Sequence, residues 1–181
     1  MNTIKTNPTA SVGFLIGMGA WSICFITLIW GYIVYRLRLG QWLAGYVNES
    51  VFEKAMINTG VLMVSTWCLH HFLQKKRNRM FAFGVILGIF FLKGQWNLWT
   101  VLLARGLTFN TSMAGSFLYL LTGFHAAHIV IALMILLPFG IKLCQVVNCE
   151  GNQRRFEFAL RFWDLLMWFW VVLLLLIFVF K

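Results

Sequence analysis

Apolar stretches of about twenty residues or more recur five times along the chain, each stopped by a short polar cluster. They cover residues 11–35, 52–73, 80–104, 114–141 and 155–180. Arg36 and Arg38 end the first, and "KKRNR" ends the second. Each run is long enough to cross roughly 30 Å of hydrocarbon as a helix. The pattern predicts an all-α polytopic membrane protein: a five-transmembrane-helix bundle forming a single transmembrane domain over residues 1–181. No soluble domain fits between the spans, and there is no internal repeat or low-complexity tract. Gly13 and Gly17 make a GxxxG in the first span, which predicts close helix packing there. The first ten residues are polar and lack a short apolar region with a cleavage site, so no removable signal peptide is expected.

Composition agrees with the pattern. The chain is 61% hydrophobic and 11% charged, with a mean hydropathy of +0.81. A soluble domain of this length would have to expose far more polar surface. The net charge of +10 could indicate nucleic acid, but the cations cluster at span ends, where anionic headgroups are the simpler partner. They also set an orientation. With five spans, one side carries Lys5, Lys75, Lys76, Arg77, Arg79, Lys142, Arg154 and Arg155. The other carries Arg36, Arg38, Lys54, Arg105 and Lys181. Eight against five, densest between the second and third spans, predicts the N-terminus inside and the C-terminus outside. Cys24, Cys68, Cys144 and Cys149 have no CxxC spacing, which argues against a disulfide framework or a zinc site.

The candidate chemistry lies in polar residues inside these spans. His125 and His128, in "TGFHAAHIVIALMILL", share one helix face near mid-membrane. On one helix they cannot straddle a haem. A pairing of His128 with His70 or His71 would have to bridge about 15 Å of depth at the rise of a helix. No thiolate or carboxylate stands nearby to complete a copper or zinc site. Hydrogen bonds to neighbouring helices or lipid headgroups compete with a functional role, because intramembrane ionisable groups are costly. Lys93, Gln95 and Asn97 interrupt the third span, and Asp164 is the one carboxylate well inside a span. At helical rise Lys93 stands about 20 Å and Asp164 about 13 Å from the same side, within a lysine's reach of each other. Each is therefore expected to find an internal polar partner, the other being one candidate. Glu157 and Arg161, spaced i and i+4, suggest an interfacial pair of little energetic weight. Walker A, HExxH and GxGxxG motifs are missing, as are paired carboxylates for acid–base work and inverted transporter halves. Seventeen per cent aromatic residues, nine of them Trp, fit extensive helix and lipid contact. The residues alone lead to an accessory membrane subunit, with a stand-alone channel or proton carrier built on Lys93, Asp164, His125 and His128 as the rival.

"GSFLYLLTGFHAAH", residues 115–128, resembles the GS-(x)-LTGFHGxH signature of haem-copper oxidase subunit III. "NTGVLMVSTWCLHHFL", residues 58–73, looks like the family's NTxxLxxSS…A-HH helix, with Asn58, Thr59, Ser65, His70 and His71 in register. "LGIFFLKGQ" ends on Gln95, where the family has its LG…Q segment, and "RFWDLLMW" matches HFxDxxW at Phe162 and Asp164. Residues 12–36 look like the first helix after the family's optional N-terminal pair. The likeness spans nearly the whole chain and corresponds to the short five-span bacterial form. There are departures. The family's Ser-Glu in that first helix reads Ala20-Trp21, the His of HFxDxxW is Arg161, and its Trp falls on Met167 with Trp168 one place later. Trp21 removes any titrating role that the family's glutamate would have there.

The resemblance implies a non-catalytic subunit of a respiratory haem-copper oxidase, a cytochrome c or quinol oxidase, with no cofactor of its own. Haem and copper are expected in the partner catalytic subunit I, on which this subunit packs among other oxidase subunits. The family's lipid cleft implies bound phospholipid and support of proton uptake and turnover stability. The subunit III-like partner of a nitric oxide reductase is the neighbouring alternative. The implied location is the bacterial inner (plasma) membrane, with a cytoplasmic N-terminus and periplasmic C-terminus and no nucleic acid partner. His70, His71, Lys75, Lys76, Arg77 and Arg79 would form a basic inner rim with Arg154 and Arg155, attracting a lipid phosphate. The tails would lie between the first two helices and the last three, where Gly13, Gly17 and aromatics leave a groove. His125, His128, Lys93, Gln95, Arg161 and Asp164 would then belong to a structural and lipid-facing polar network.

Overall fold

The computed structural model describes residues 8–39, 45–46, 48–109, 113–145 and 150–179. Five long helices follow in order: α1 (Pro8–Leu39), α2 (Glu49–Lys75), α3 (Asn78–Ala104), α4 (Met113–Gln145) and α5 (Glu150–Leu174), which passes into a π-helical turn at Leu175–Val179. Each of the first four expected spans lies on one helix, and the fifth lies on α5 and its π-helical turn as far as Val179, the last described residue. Four helices are apolar enough over their length to cross a membrane: Val12–Arg38, Asn78–Ala104, Met113–Leu143 and Gln153–Ile177. The fifth, α2, matches α3 at 27 residues but is more polar. Its length suits a crossing, and Asn58, Thr59, Ser65 and Thr66 along it are buried against its neighbours.

The α2–α3 hairpin is tight because the chain reverses over Lys76 and Arg77. Lys76 takes a left-handed conformation (φ 47°, ψ 36°), and its N–H donates to the Phe72 carbonyl at 2.7 Å, closing α2. Across the hairpin the backbones approach closely. Ser65 Oγ donates to the Gly84 carbonyl at 2.7 Å, and a Cβ on Gly84 would meet the Leu69 side chain at 2.9 Å. One turn on, a Cβ on Gly88 would meet the Trp163 ring at 2.8 Å. Gly84 and Gly88 are therefore the GxxxG that packs helices, because small residues let neighbours approach where lipid supplies no hydrophobic drive. Gly13 and Gly17, the expected pair, face open space. The expectation fails because α1 is the most loosely packed helix and carries exposed Leu15, Ile16, Ile23, Ile26 and Trp30. It rests on α4 and α5, whereas α2 rests on α3 and α5. The core between α2, α3, α4 and α5 is filled by Phe72, Phe91, Phe156, Trp163 and Trp170, all fully buried. At the far end, Arg36 donates to the Leu176 carbonyl at 3.0 Å, serving an oxygen of the π-turn.

Candidate functional site

The polar residues of α2 meet α5 along one seam. Thr59, Thr66 and His70 lie at i, i+7 and i+11, so they fall on one face. Trp170 answers Thr59, while Trp163 and its neighbour Asp164 answer Thr66 and His70, so the helices run antiparallel. Trp170 Nε1 donates to Thr59 Oγ1 at 2.9 Å and Trp163 Nε1 to Thr66 Oγ1 at 3.1 Å. Each hydroxyl in turn donates to the carbonyl one turn back, Thr59 to Ala55 and Thr66 to Leu62. Threonine thus gives its proton to its own helix and a lone pair to the neighbour's indole, and both hydroxyls and both indoles are satisfied without water. The device recurs between α3 and α4, where Trp99 Nε1 donates to Thr122 Oγ1 at 3.0 Å and Thr122 donates to the Leu118 carbonyl.

His70 closes the seam at its α2 C-terminal end. Its Nε2–H donates to both oxygens of Asp164, at 2.9 and 3.0 Å. The side chains are 45% and 28% exposed, so the pair sits at the bundle's edge and not in its core. Asp164 has an internal polar partner, but it is His70 and not Lys93. Lys93 is exposed and makes no ion pair among the described residues. Helical rise placed the two at comparable depth, yet α3 turns Lys93 outward while its buried face presents Phe91, Gln95 and Leu98. His71 stacks on Trp67 with ring centroids 5.2 Å apart. Glu157 accepts from Gln153 at 3.3 Å, one turn earlier, and has no ion pair with exposed Arg161 among the described residues.

The α4 histidines are buried among aromatics. His128 Nδ1–H donates to the Phe124 carbonyl, and its ring meets Trp21 edge-on with centroids 3.5 Å apart. His125 is fully buried, stacked on Trp170 and flanked by Phe25 and Phe91. Neither of its ring nitrogens has a hydrogen-bond partner, and neither has either end of the Gln95 amide, which is buried one turn beyond Phe91. Among the described residues no group of three His, Cys, Asp or Glu comes together to hold a metal ion. Cys24 and Cys68 are free, and the side chains of Cys144 and Cys149 lie outside the described residues.

Two features lie on the bundle's surface. Lys75, Lys76, Arg77 and Arg79 stand exposed at the α2–α3 turn, and Arg155 stands exposed near the start of α5. Arg154 packs over the Phe158 ring, 5.7 Å from its centroid. Beside Arg155 opens an apolar groove of about 430 Å³ whose walls include Phe14, Gly17 and Trp21 of α1, Ile135 of α4, and Phe158 and Phe162 of α5. Gly17 and the aromatics do leave a groove, as expected, but it lies between α1 and the α4–α5 pair. Here α2 packs on α3 and α5. Trp21 packs edge-on against Phe162, so the residue standing where the resemblance places a glutamate is a wall of this groove.

Thr66, Trp99, Thr122, Trp163 and Trp170 join helices without standing out in the sequence. The matching seven-residue separations of Thr59–Thr66 and Trp163–Trp170 are the one signal of their pairing.

The family model for cytochrome c oxidase subunit III matches residues 5–181. The chain belongs to that family. It is 27% identical over 174 residues to cytochrome c oxidase subunit 3 of Synechocystis sp., covering 92% of this chain and 73% of that one. To the probable cytochrome c oxidase subunit 3 of Rickettsia felis it is 29% identical over 158 residues, covering 81% of this chain and 55% of the relative. To the subunit of Artemia franciscana it is 26% identical over 153 residues, 77% and 56%. The chain thus spans little more than half the length of the latter two. Membership of the subunit III family and four long apolar helices make it a multi-pass membrane protein of an oxidase complex.

Proposed function

We propose that the chain is a non-catalytic subunit of a respiratory haem-copper oxidase in a bacterial plasma membrane, crossing it five times from a cytoplasmic N-terminus. It packs on the catalytic subunit, which carries the haem and copper, and supports proton uptake and endurance under turnover. The observation that carries this reading is the family match along essentially the whole chain. The internal architecture is compatible with it: four polar side chains, His70, Asp164, Thr59 and Thr66, are spent on joining helices across the α2–α5 seam. In the same reading the apolar groove beside Arg155 holds the tails of a phospholipid whose phosphate meets the basic rim.

Gentle purification of the tagged chain tests it. A haem-copper core should come with the chain, and the chain separated from that core should show no Soret band and no stoichiometric copper. A lone oligomer that conducts protons by itself, or one haem per isolated chain, overturns the reading.

A further inference from the structure

A second groove, of about 810 Å³, runs between α2 and α3 on the face away from α5. Toward the α2 N-terminal side Lys54, Asn58, Lys93, Asn97 and Thr100 stand among Ile57 and Trp96, and toward mid-membrane the walls are Val61, Leu87 and Phe90. Both lysines are exposed, and neither makes an ion pair among the described residues. Asn58 is only 6% exposed, lines the groove, and has no partner for its Nδ2 donor. Its neighbour across the helix pair is Gly94, where a Cβ would fall 2.3 Å from Asn58 Oδ1. Glycine at 94 is what lets the amide lie between the helices. Two cations therefore border a space that no carboxylate lines among the described residues. Lys93 stands about 16 Å from the α3 C-terminus and Lys54 about 8 Å from the α2 N-terminus, depths at which a bare ammonium is costly.

The geometry points to a binding site for one anionic phospholipid in the leaflet on the α2 N-terminal side. Lys54 and Lys93 hold its phosphate, and an acyl chain runs down over Val61, Leu87 and Phe90. A carboxylate on a neighbouring protein helix would also answer the lysines. The length of the groove favours lipid: beyond the lysines its walls at Val61, Leu87 and Phe90 are apolar, which an acyl chain fills and a carboxylate does not. The site is separate from the basic rim, which lies roughly 30 Å away at the other end of α2, and it does not depend on the proposed function.

The test places a photoreactive phenylalanine analogue at Ile57, an exposed groove residue, in the full chain with its native partners. The assembly is reconstituted in nanodiscs of phosphatidylcholine doped with phosphatidylglycerol. After irradiation, the intact mass of the chain should rise by one phosphatidylglycerol, captured well above its share of the disc. Lys54→Gln with Lys93→Gln should lower that enrichment by on the order of tenfold, from the loss of two cations beside the headgroup. Capture of another protein chain, capture of the two lipids in proportion to their abundance, or enrichment unchanged in the double variant each overturns the proposal. If the double variant does not accumulate, the wild-type enrichment alone supports or overturns it.

Discussion

Asp164 shows how an intramembrane carboxylate is stabilised by geometry rather than by depth alone. Its two oxygens share one imidazole N–H, so removing the carboxylate strands His70 at the bundle edge. Asp164→Leu should therefore destabilise the chain by about 1–3 kcal/mol, while Asp164→Asn, which still accepts a hydrogen bond, should cost less. Thermal unfolding in detergent measures both. In the assembled complex, Asp164→Leu should shorten activity under sustained turnover more than it lowers the initial rate. Thr66→Val makes a sharper case. It keeps the shape and removes the acceptor for Trp163 Nε1, leaving a buried donor unsatisfied at a cost of about 1–3 kcal/mol. Thr66→Ser should recover most of that loss, and the same thermal measurement decides. The partner of Asp164 was not readable from sequence. Rise along a helix gives depth, but the direction of Lys93 depends on how α3 is rotated against α2 and α5, which only packing fixes.

Element boundaries were readable because apolar runs must match the hydrocarbon and cations must end them. The expected spans and the observed helices differ only by extensions of a few residues at their ends, except at the α5 C-terminus, where the π-turn takes over. Which glycines join helices was not readable, since a GxxxG pattern says nothing about what stands opposite. Gly84 and Gly88 have Leu69, Ser65 and Trp163 against them, whereas Gly13 and Gly17 have none. Gly88→Ala should push Trp163 from its seat and cost about 1–3 kcal/mol by overpacking. Gly13→Ala should be neutral or mildly stabilising, since it puts a better helix former into open space. Comparing melting temperatures of the two variants checks the contrast. The basic rim was readable as a charge cluster, but which helices wall the groove beside Arg155 was not, since that depends on α1 packing against α4 and α5.

At the scale of the whole molecule, two grooves open on the surface toward opposite ends of the bundle, one apolar beside Arg155 and one beside Lys54 and Lys93. Neutralising Lys75, Lys76 and Arg77 together should remove phospholipid retained at the rim, at about 1 kcal/mol per cation, without unfolding the bundle. Counting phospholipid per complex by mass spectrometry checks it, and an unchanged count would leave these cations as topology signals only. The polar seam also bears on how the chain is made. A translocon admits a segment on its own apolarity, and α2 presents Glu49, Glu53, Lys54, Asn58 and His70 before any partner exists to receive them. Left to itself, α2 should partition poorly into the bilayer. Its commitment should wait for α3, which follows after a two-residue turn and brings the Gly84 carbonyl to Ser65. In a glycosylation-reporter assay, α2 alone should insert inefficiently and the α2–α3 hairpin well. In the proposed five-crossing topology, the residues that stitch the finished bundle together would impose an order on its birth, with the second crossing completed only once the third has emerged from the ribosome.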